Sequence, residues 1–384
     1  MDASELMRLI SNGETSVVQF KENIKNEHSV AQEMVAFSNS KGGRILIGVN
    51  DKTWDITGLS ALDLRRLTDL LVNAANEHVK SPIFIETETV DVDGKKVMVV
   101  SVPEGTDKPY KDKDGIIFLK NGANKRKVTS NEELARLLQS SGNLYAEERI
   151  IPHSTYEDID WNKFKAFYEE TYKEPCEKPY LDRYLQNLRL GANGKLNLAG
   201  ALLFTDKPQK TITGFFITAI WFWGNNHWEE KYRSSENLQG TLSEQYRKGY
   251  DFVLSKLQKV QAGQSFNSIG KSEIPEIVIQ ELLANALIHR DYFIQDTIKL
   301  FVFENRIEIK SPGKLPNNLT EAQIRRGIRK KRNNILDSFA PQLLNYRGAG
   351  SGILRALEAW PQIDFINDIE AEQFTVIIHR TQSA

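Results

Sequence analysis

The sequence predicts a mixed α/β (α+β) protein built from more than one domain. Three observations lead there. With 384 residues, the chain exceeds what one compact core usually organises, so two or three domains are expected. Up to about residue 140, apolar runs with β character alternate with helical periodicity. From about residue 272 onward the order becomes helix, hairpin, basic loop, glycine turn, helix, strand.

The first region opens with a helical stretch over 27–40 and the apolar strand RILIGV (44–49), followed by a helical pattern in ALDLRRLTDLLVNAANEHV. IFIETETVDV and KKVMVVSV read as strands, and Asp93-Gly94 between them carries the signal of a tight hairpin. SNEELARLLQSSG closes the region as a helix with Ser130 as N-cap and Glu133 three residues on. SGNLYAEERIIPHSTYEDID lacks periodicity and reads as a linker. The middle region starts with the helical DWNKFKAFYEETY and offers two strand candidates, LAGALLF and FFITAIWFW. Its aromatics, Trp221, Phe222, Trp223 and Trp228, either stack on bases or fill a core. The expected division is 1–140, 141–270 and 271–384.

Forty per cent apolar and 26% charged residues suit a soluble globular protein. MDASELMRLISNGETSVVQF has no basic leader followed by an apolar segment, and no stretch approaches the apolar length of a membrane helix, so neither secretion nor membrane spanning is expected. The single cysteine, Cys176, can form no intramolecular disulfide, and no Cys/His cluster can build a zinc site. A reducing cytoplasm is the expected setting. A net charge of −1 leaves attraction to nucleic acid to local patches. Residues 105–129 hold seven Lys or Arg against three Asp, and IRRGIRKKR (324–332) holds six with no acid.

ELLANALIHRDY (281–292) places Glu281, Asn285 and His289 at four-residue intervals. On a helix they span an arc of about 80°, with Leu282, Leu283, Ala286 and Leu287 largely opposite. A carboxylate and an oxygen donor one turn apart can serve a water nucleophile and a hard Mg²⁺ ion. Further on, NYRGAGSGILRALEAW sets Gly348, Gly350 and Gly352 immediately before an amphipathic helix, the outline of a phosphate cradle. Helix with ELLANALIHRDY, hairpin, SPGKLP, basic loop and RGAGSGI together resemble the ATP-binding domain of the GHKL superfamily, a Bergerat-type α/β sandwich, in its divergent RecG-related branch. The resemblance implies Glu281 as general base and Asn285 as Mg²⁺ ligand, with His289, Arg290 and Asp291 in the branch's signature. It implies Gly313 near adenine, Gly348, Gly350, Ser351 and Gly352 around the phosphates, and IRRGIRKKRNN as a flexible lid. Ser311 stands where the superfamily usually has an adenine-reading aspartate.

At the other end, Asn39 to Gly43 form a polar turn ahead of a buried strand whose end is broken by Asn50-Asp51. GETSVVQFKEN, EMVAFSNSKGGRILIGVND and FLKNGANKRKVTSNEEL resemble the Schlafen AlbA-type DNA-binding domain. Its nuclease members use three acids as a metal site. Glu14 and Asp51 match two of them, and Gln19 replaces the third. The two resemblances imply an ATP-responsive nucleic-acid-binding protein, a transcriptional regulator acting on DNA rather than RNA, with ATP and Mg²⁺ as cofactors and a homodimeric state. Lys108, Lys111, Lys113, Lys120, Lys125, Arg126 and Lys127 are the expected phosphate contacts. The alternatives are a Schlafen-like metal-dependent RNase using Glu14 and Asp51, and an interaction scaffold with a dead nucleotide pocket.

Overall fold

The structure is a computed structural model that describes residues 1–141, 144–226, 231–260, 270–316, 319–344 and 351–380. Trp228, Gly348 and Gly350 lie outside the described residues. The chain divides into two compact units, Met1–Leu144 and Tyr145–Ala384.

Unit 1 begins with α1 (Ala3–Ser11), β1 (Val18–Lys21), α2 (Glu27–Asn39), β2 (Gly43–Ile47) and α3 (Ala61–Glu77). It continues with β3 (Val79–Lys80), β4 (Glu86–Val92), β5 (Lys95–Val102), β6 (Lys111–Asp112), β7 (Phe118–Asn121), β8 (Asn124–Lys127) and α4 (Asn131–Ser140). The main sheet has the order β1-β2-β5-β4, with β1 parallel to β2. Strand alternation splits its side chains between two cores. Ile45, Ile47, Met98 and Val100 pack with residues of α2 and α3, while Leu46, Val97 and Val99 pack with Leu6 and Ile10 of α1. The expected hairpin turn is present, with Asp93 and Gly94 both at positive φ and β4 paired to β5. Ser130 caps α4 by accepting the Glu133 amide at 3.1 Å. The polar turn at 39–43 has a packing role. Asn39 donates to the Tyr110 and Phe118 carbonyls, and a Cβ on Gly43 would meet the Phe37 ring at 2.4 Å.

Unit 2 opens with α5 (Trp161–Tyr172), α6 (Leu181–Asn187), β9 (Gly191–Ala192), β10 (Lys195–Leu196) and α7 (Leu198–Phe204). Then come β11 (Ile217–Phe222), β12 (Tyr232–Leu238), α8 (Leu242–Leu254), β13 (Lys259–Val260), β14 (Lys271–Ser272) and α9 (Glu276–His289). The last part comprises β15 (Ile298–Val302), β16 (Arg306–Pro312), α10 (Glu321–Arg325), α11 (Asn334–Leu343), α12 (Gly352–Ala359), β17 (Ile363–Asp368) and β18 (Gln373–His379). Six strands form one sheet, in the order β12-β11-β15-β16-β18-β17. Segment 141–270 thus supplies two strands to the sheet completed by 271–384, with β11 running parallel to β15.

Two local expectations change. LAGALLF is helix α7 rather than a strand: Asn197 caps it by accepting the Gly200 amide, and all seven of its residues are buried. A short helix buried on every side shows no amphipathic period, so a continuous apolar run reads equally as a strand. From Tyr145 on, the stretch expected as a linker packs into unit 2, where Ala146, Ile151 and Ile159 join the core. Of the aromatics in question, Phe222 is buried and stacked on Phe303. Trp223 is exposed, with the Arg233 guanidinium 4.0 Å from its ring centre.

Candidate nucleotide cleft and basic surface

Helix α9 lies against α8, α12 and β16, which leaves little of it to solvent. Its apolar positions fill the core as the periodicity requires, but the polar arc is not a solvated face. Glu281 is only 4% exposed. The Asn285 amide nitrogen donates to the Glu281 carbonyl at 2.6 Å. Gly352 closes on both side chains: a Cβ there would lie 2.3 Å from Glu281 Oε2 and 3.5 Å from Asn285 Nδ2. The acid-bearing arc of α9 and the start of α12 therefore face each other.

Between these helices, the sheet and the basic loop lies a cleft of about 880 Å³, its open mouth included. Its lining runs from apolar side chains such as Leu282, Ile309, Phe365 and Val376 to Arg329, Lys330 and Arg332 at the basic loop. Asn285, His289, Ser311, Gly313 and Gly352 also line it. Asp291 sits just behind, where a Cβ on Gly313 would come 2.4 Å from the Asp291 Cβ. Gly313 has φ +98°, so conformation and space both call for glycine.

The loop expected as a lid is tied down where it is described. Arg332 donates to the His289 carbonyl at 3.0 Å. The buried Asn333 donates to the carbonyls of Ile288 at 2.7 Å and Arg290 at 3.0 Å. These groups satisfy carbonyls at the end of α9 that have no helical partner, and Arg332 brings positive charge to the helix's negative pole. Arg329 and Lys331 both pair with Asp337 of α11. Burial, reinforced by Arg329, Arg332 and Lys331, pushes the His289 imidazole down to about 3, so it is neutral at pH 7. Its Nδ1 is sealed from solvent without a hydrogen-bond partner.

An adenine nucleotide with Mg²⁺ fits this cleft in three respects. The lining offers apolar side chains for a base, cationic side chains for phosphates, and the Asn285 amide as a hard oxygen donor. Two features depart from the expectation. The Ser311 hydroxyl donates to the Ala286 carbonyl at 3.1 Å, and a hydroxyl carries no fixed negative charge for an adenine amino group. Glu281 is paired with Arg355, a residue the motif reading missed. Arg355 donates through Nε at 3.1 Å and through Nη2 to the same oxygen, Oε1, and through Nη1 to Ser351. Its signal was the arginine one turn after Ser351 in ILRALEA.

In unit 1 the seven expected phosphate contacts separate into two groups. Lys108 is buried and donates to Ser40 O and Glu104. The Lys120 side chain has no exposed surface. It donates to Gln19 Oε1 and the Ala123 carbonyl, each at 2.7 Å, and burial lowers its pKa. Lys125 pairs with Glu33, and Arg126 with Glu133. These four are committed inside the unit, and the reason lies in nearby carboxylates that a count of basic residues ignores. Lys111, Lys113 and Lys127 are exposed and have no ion-pair partner among the described residues.

Glu14 accepts hydrogen bonds from the Gln19 side chain and the Phe20 amide. A chain Lys120–Gln19–Glu14 therefore runs where a third acid would have completed a metal site, with an ammonium as its cation. Asp51 is exposed in a turn. Among the described residues, the group with metal-ligand spacing is a different one, His28, Asp112 and Asp114. Its atoms are already engaged: Asp112 accepts from Gln32 and from the Asp114 and Ile116 amides, and His28 pairs with Asp114 at 3.3 Å.

Residues 14–129 match the family described as Schlafen, AlbA_2, and residues 295–378 match the family described as "Putative ATP-dependent DNA helicase recG C-terminal". The second match begins after α9, so it does not include Glu281, Asn285 or His289. No curated protein matches the chain significantly. Among solved structures, the DIP2311 protein from Corynebacterium diphtheriae is 19% identical with a TM-score of 0.48, covering 98% of this chain and 80% of that one. The N-terminal domain of a RecG-related protein from Nitrosomonas europaea is 26% identical with a TM-score of 0.27, covering 34% of this chain and 92% of that one. Among the described residues, no helix is long and apolar enough to cross a membrane. The chain thus combines a segment that matches the Schlafen AlbA_2 family, in its first unit, with one that matches the RecG C-terminal family of the HATPase type, in its second.

Proposed function

We propose that the protein binds ATP with Mg²⁺ in the cleft of unit 2 and nucleic-acid phosphates through unit 1, as a cytoplasmic, homodimeric, nucleotide-responsive regulator of DNA. The observation that carries this reading is the cleft itself, where Asn285 and Gly352 lie close together in a lining that combines apolar side chains with Arg329, Lys330 and Arg332. The descriptions of both matched families support it, one naming an ATP-dependent DNA helicase and the other a Schlafen domain. In this reading Asn285 would hold Mg²⁺ through its amide oxygen. The metal would neutralise charge on the triphosphate. Arg329 and Lys330 would attract the phosphates, and Ser351 and Gly352 would let the backbone approach them.

Titration of the wild type and Asn285→Ala with a fluorescent ATP analogue, with Mg²⁺ and with EDTA, tests the reading. The wild type should bind more tightly with Mg²⁺, and Asn285→Ala should lose most of that difference. Equal affinities in both proteins would remove Asn285 from the site, and no binding by the wild type would leave the scaffold alternative. The metal-dependent RNase alternative has less support, because Lys120 already compensates the Glu14–Gln19 pair.

A further inference from the structure

The GHKL resemblance implies Glu281 as general base, but the residue is not placed to act as one. To do so, it would accept a proton from a water whose oxygen bonds to the terminal phosphorus as the bond to the bridging oxygen breaks, releasing ADP and inorganic phosphate. That task needs a carboxylate oxygen with an open lone pair facing water. Oε1 accepts two donors from Arg355. Oε2 has no hydrogen-bond partner and is sealed from solvent, lying where a Cβ on Gly352 would come within 2.3 Å. Oε1 is thus taken up by the guanidinium and Oε2 is closed off from solvent. The pairing is also well built: the donors come from Nε and Nη2 of one planar guanidinium, Arg355 is further anchored on Ser351, and Glu281 is 4% exposed, so solvent screens the attraction little.

We infer that Arg355 is a positioning residue that holds Glu281 in an ion pair and so makes the cleft a site of nucleotide retention rather than rapid hydrolysis. This rests on the nucleotide-binding reading above and specifies its regulation: the bound state ends by dissociation or by release of the Arg355–Glu281 pair. Because Arg355 and Gly352 share the first turn of α12, any shift of that turn alters the pair and the nucleotide site together.

The experiment measures phosphate release and the affinity of a fluorescent ATP analogue on the full chain. The proteins are the wild type, Arg355→Met, Arg355→Lys, Glu281→Gln and Arg355→Met/Glu281→Gln. The wild type should bind Mg·ATP yet release phosphate no faster than Glu281→Gln. Arg355→Met should raise release on the order of tenfold or more, part of the roughly 10²–10⁴ that a general base supplies, and the double variant should return to baseline. Arg355→Lys, with one ammonium in place of two guanidinium donors, should fall between, and it decides the matter if Arg355→Met does not fold. Every variant should still bind the analogue. Glu281-dependent hydrolysis by the wild type that slows on either Arg355 substitution overturns the inference while leaving nucleotide binding intact. A loss of affinity in Arg355→Lys does the same by making Arg355 a phosphate contact. Absence of nucleotide binding by the wild type removes the reading beneath it.

Discussion

Glu147 is fully buried and accepts hydrogen bonds from the Ile335 and Leu336 amides, both at 2.8 Å. These amides open α11 and favour the carboxylate, but burial outweighs them and pushes the group from 4.5 up to about 7. Between those values the unfolded chain has released the proton while the folded chain keeps it, so stability falls as pH rises through this window and levels off above it. The shift corresponds to about 3 kcal/mol. His289 works on the acid side: its folded value near 3 lies below the ordinary 6.5, so its contribution is complete above pH 6.5 and is lost as pH falls toward 3. Denaturant unfolding at pH 4.5, 6 and 8 should show Glu147→Gln with a flatter decline than the wild type and greater relative stability at pH 8. An identical decline in both proteins would assign the slope to other groups.

At the scale of elements, α9 depends on groups far along the chain. Its last carbonyls are satisfied by Ser311, Arg332 and Asn333, and the last two also fix the basic loop beside the cleft. Asn333→Ala leaves the Ile288 and Arg290 carbonyls without these donors. The expected cost is about 2 kcal/mol, roughly 5 °C in Tm for a unit of this size. Weaker binding of the ATP analogue should accompany it, because the loop carries Arg329 and Lys330. Thermal melts and titrations check both, and an unchanged Tm would show that water replaces the amide. These elements also show what local pattern encodes. KKVMVVSV alternates between two cores and is β5 over Lys95–Val102 as read, and Asp93-Gly94 makes its turn because few other pairs tolerate positive φ twice. LAGALLF has no such mark: its burial on every side comes from neighbours distant in sequence, and helix or strand was open until they packed.

At the scale of the whole molecule, affinity for nucleic acid should follow exposed charge rather than total basic content. Replacing Lys111, Lys113 and Lys127 with Gln should weaken duplex DNA binding and lower the slope of log K against log salt by up to about 2.7, if each makes one phosphate contact. Lys120→Gln should leave the slope unchanged and reduce stability instead, since it strips a buried network of its cation. Filter binding across a salt series, with DNA and RNA duplexes in parallel, separates these outcomes. A slope unaffected by the triple substitution would place the phosphate contacts elsewhere.

The sequence by itself determined the order of most helices and strands, the hairpins, the cap at Ser130 and the placing of Glu281, Asn285 and His289 on one arc of α9. All of these depend on residues within a few positions of one another, where backbone geometry sets what can meet. Only the tertiary structure decided that Glu281 belongs to Arg355, 74 residues away, that Lys120 serves Gln19, 101 residues away, and that β11 completes the sheet begun by β15. Charges and strand edges choose partners by distance and dehydration once the chain has folded, and neither quantity is written in the spacing of residues along it.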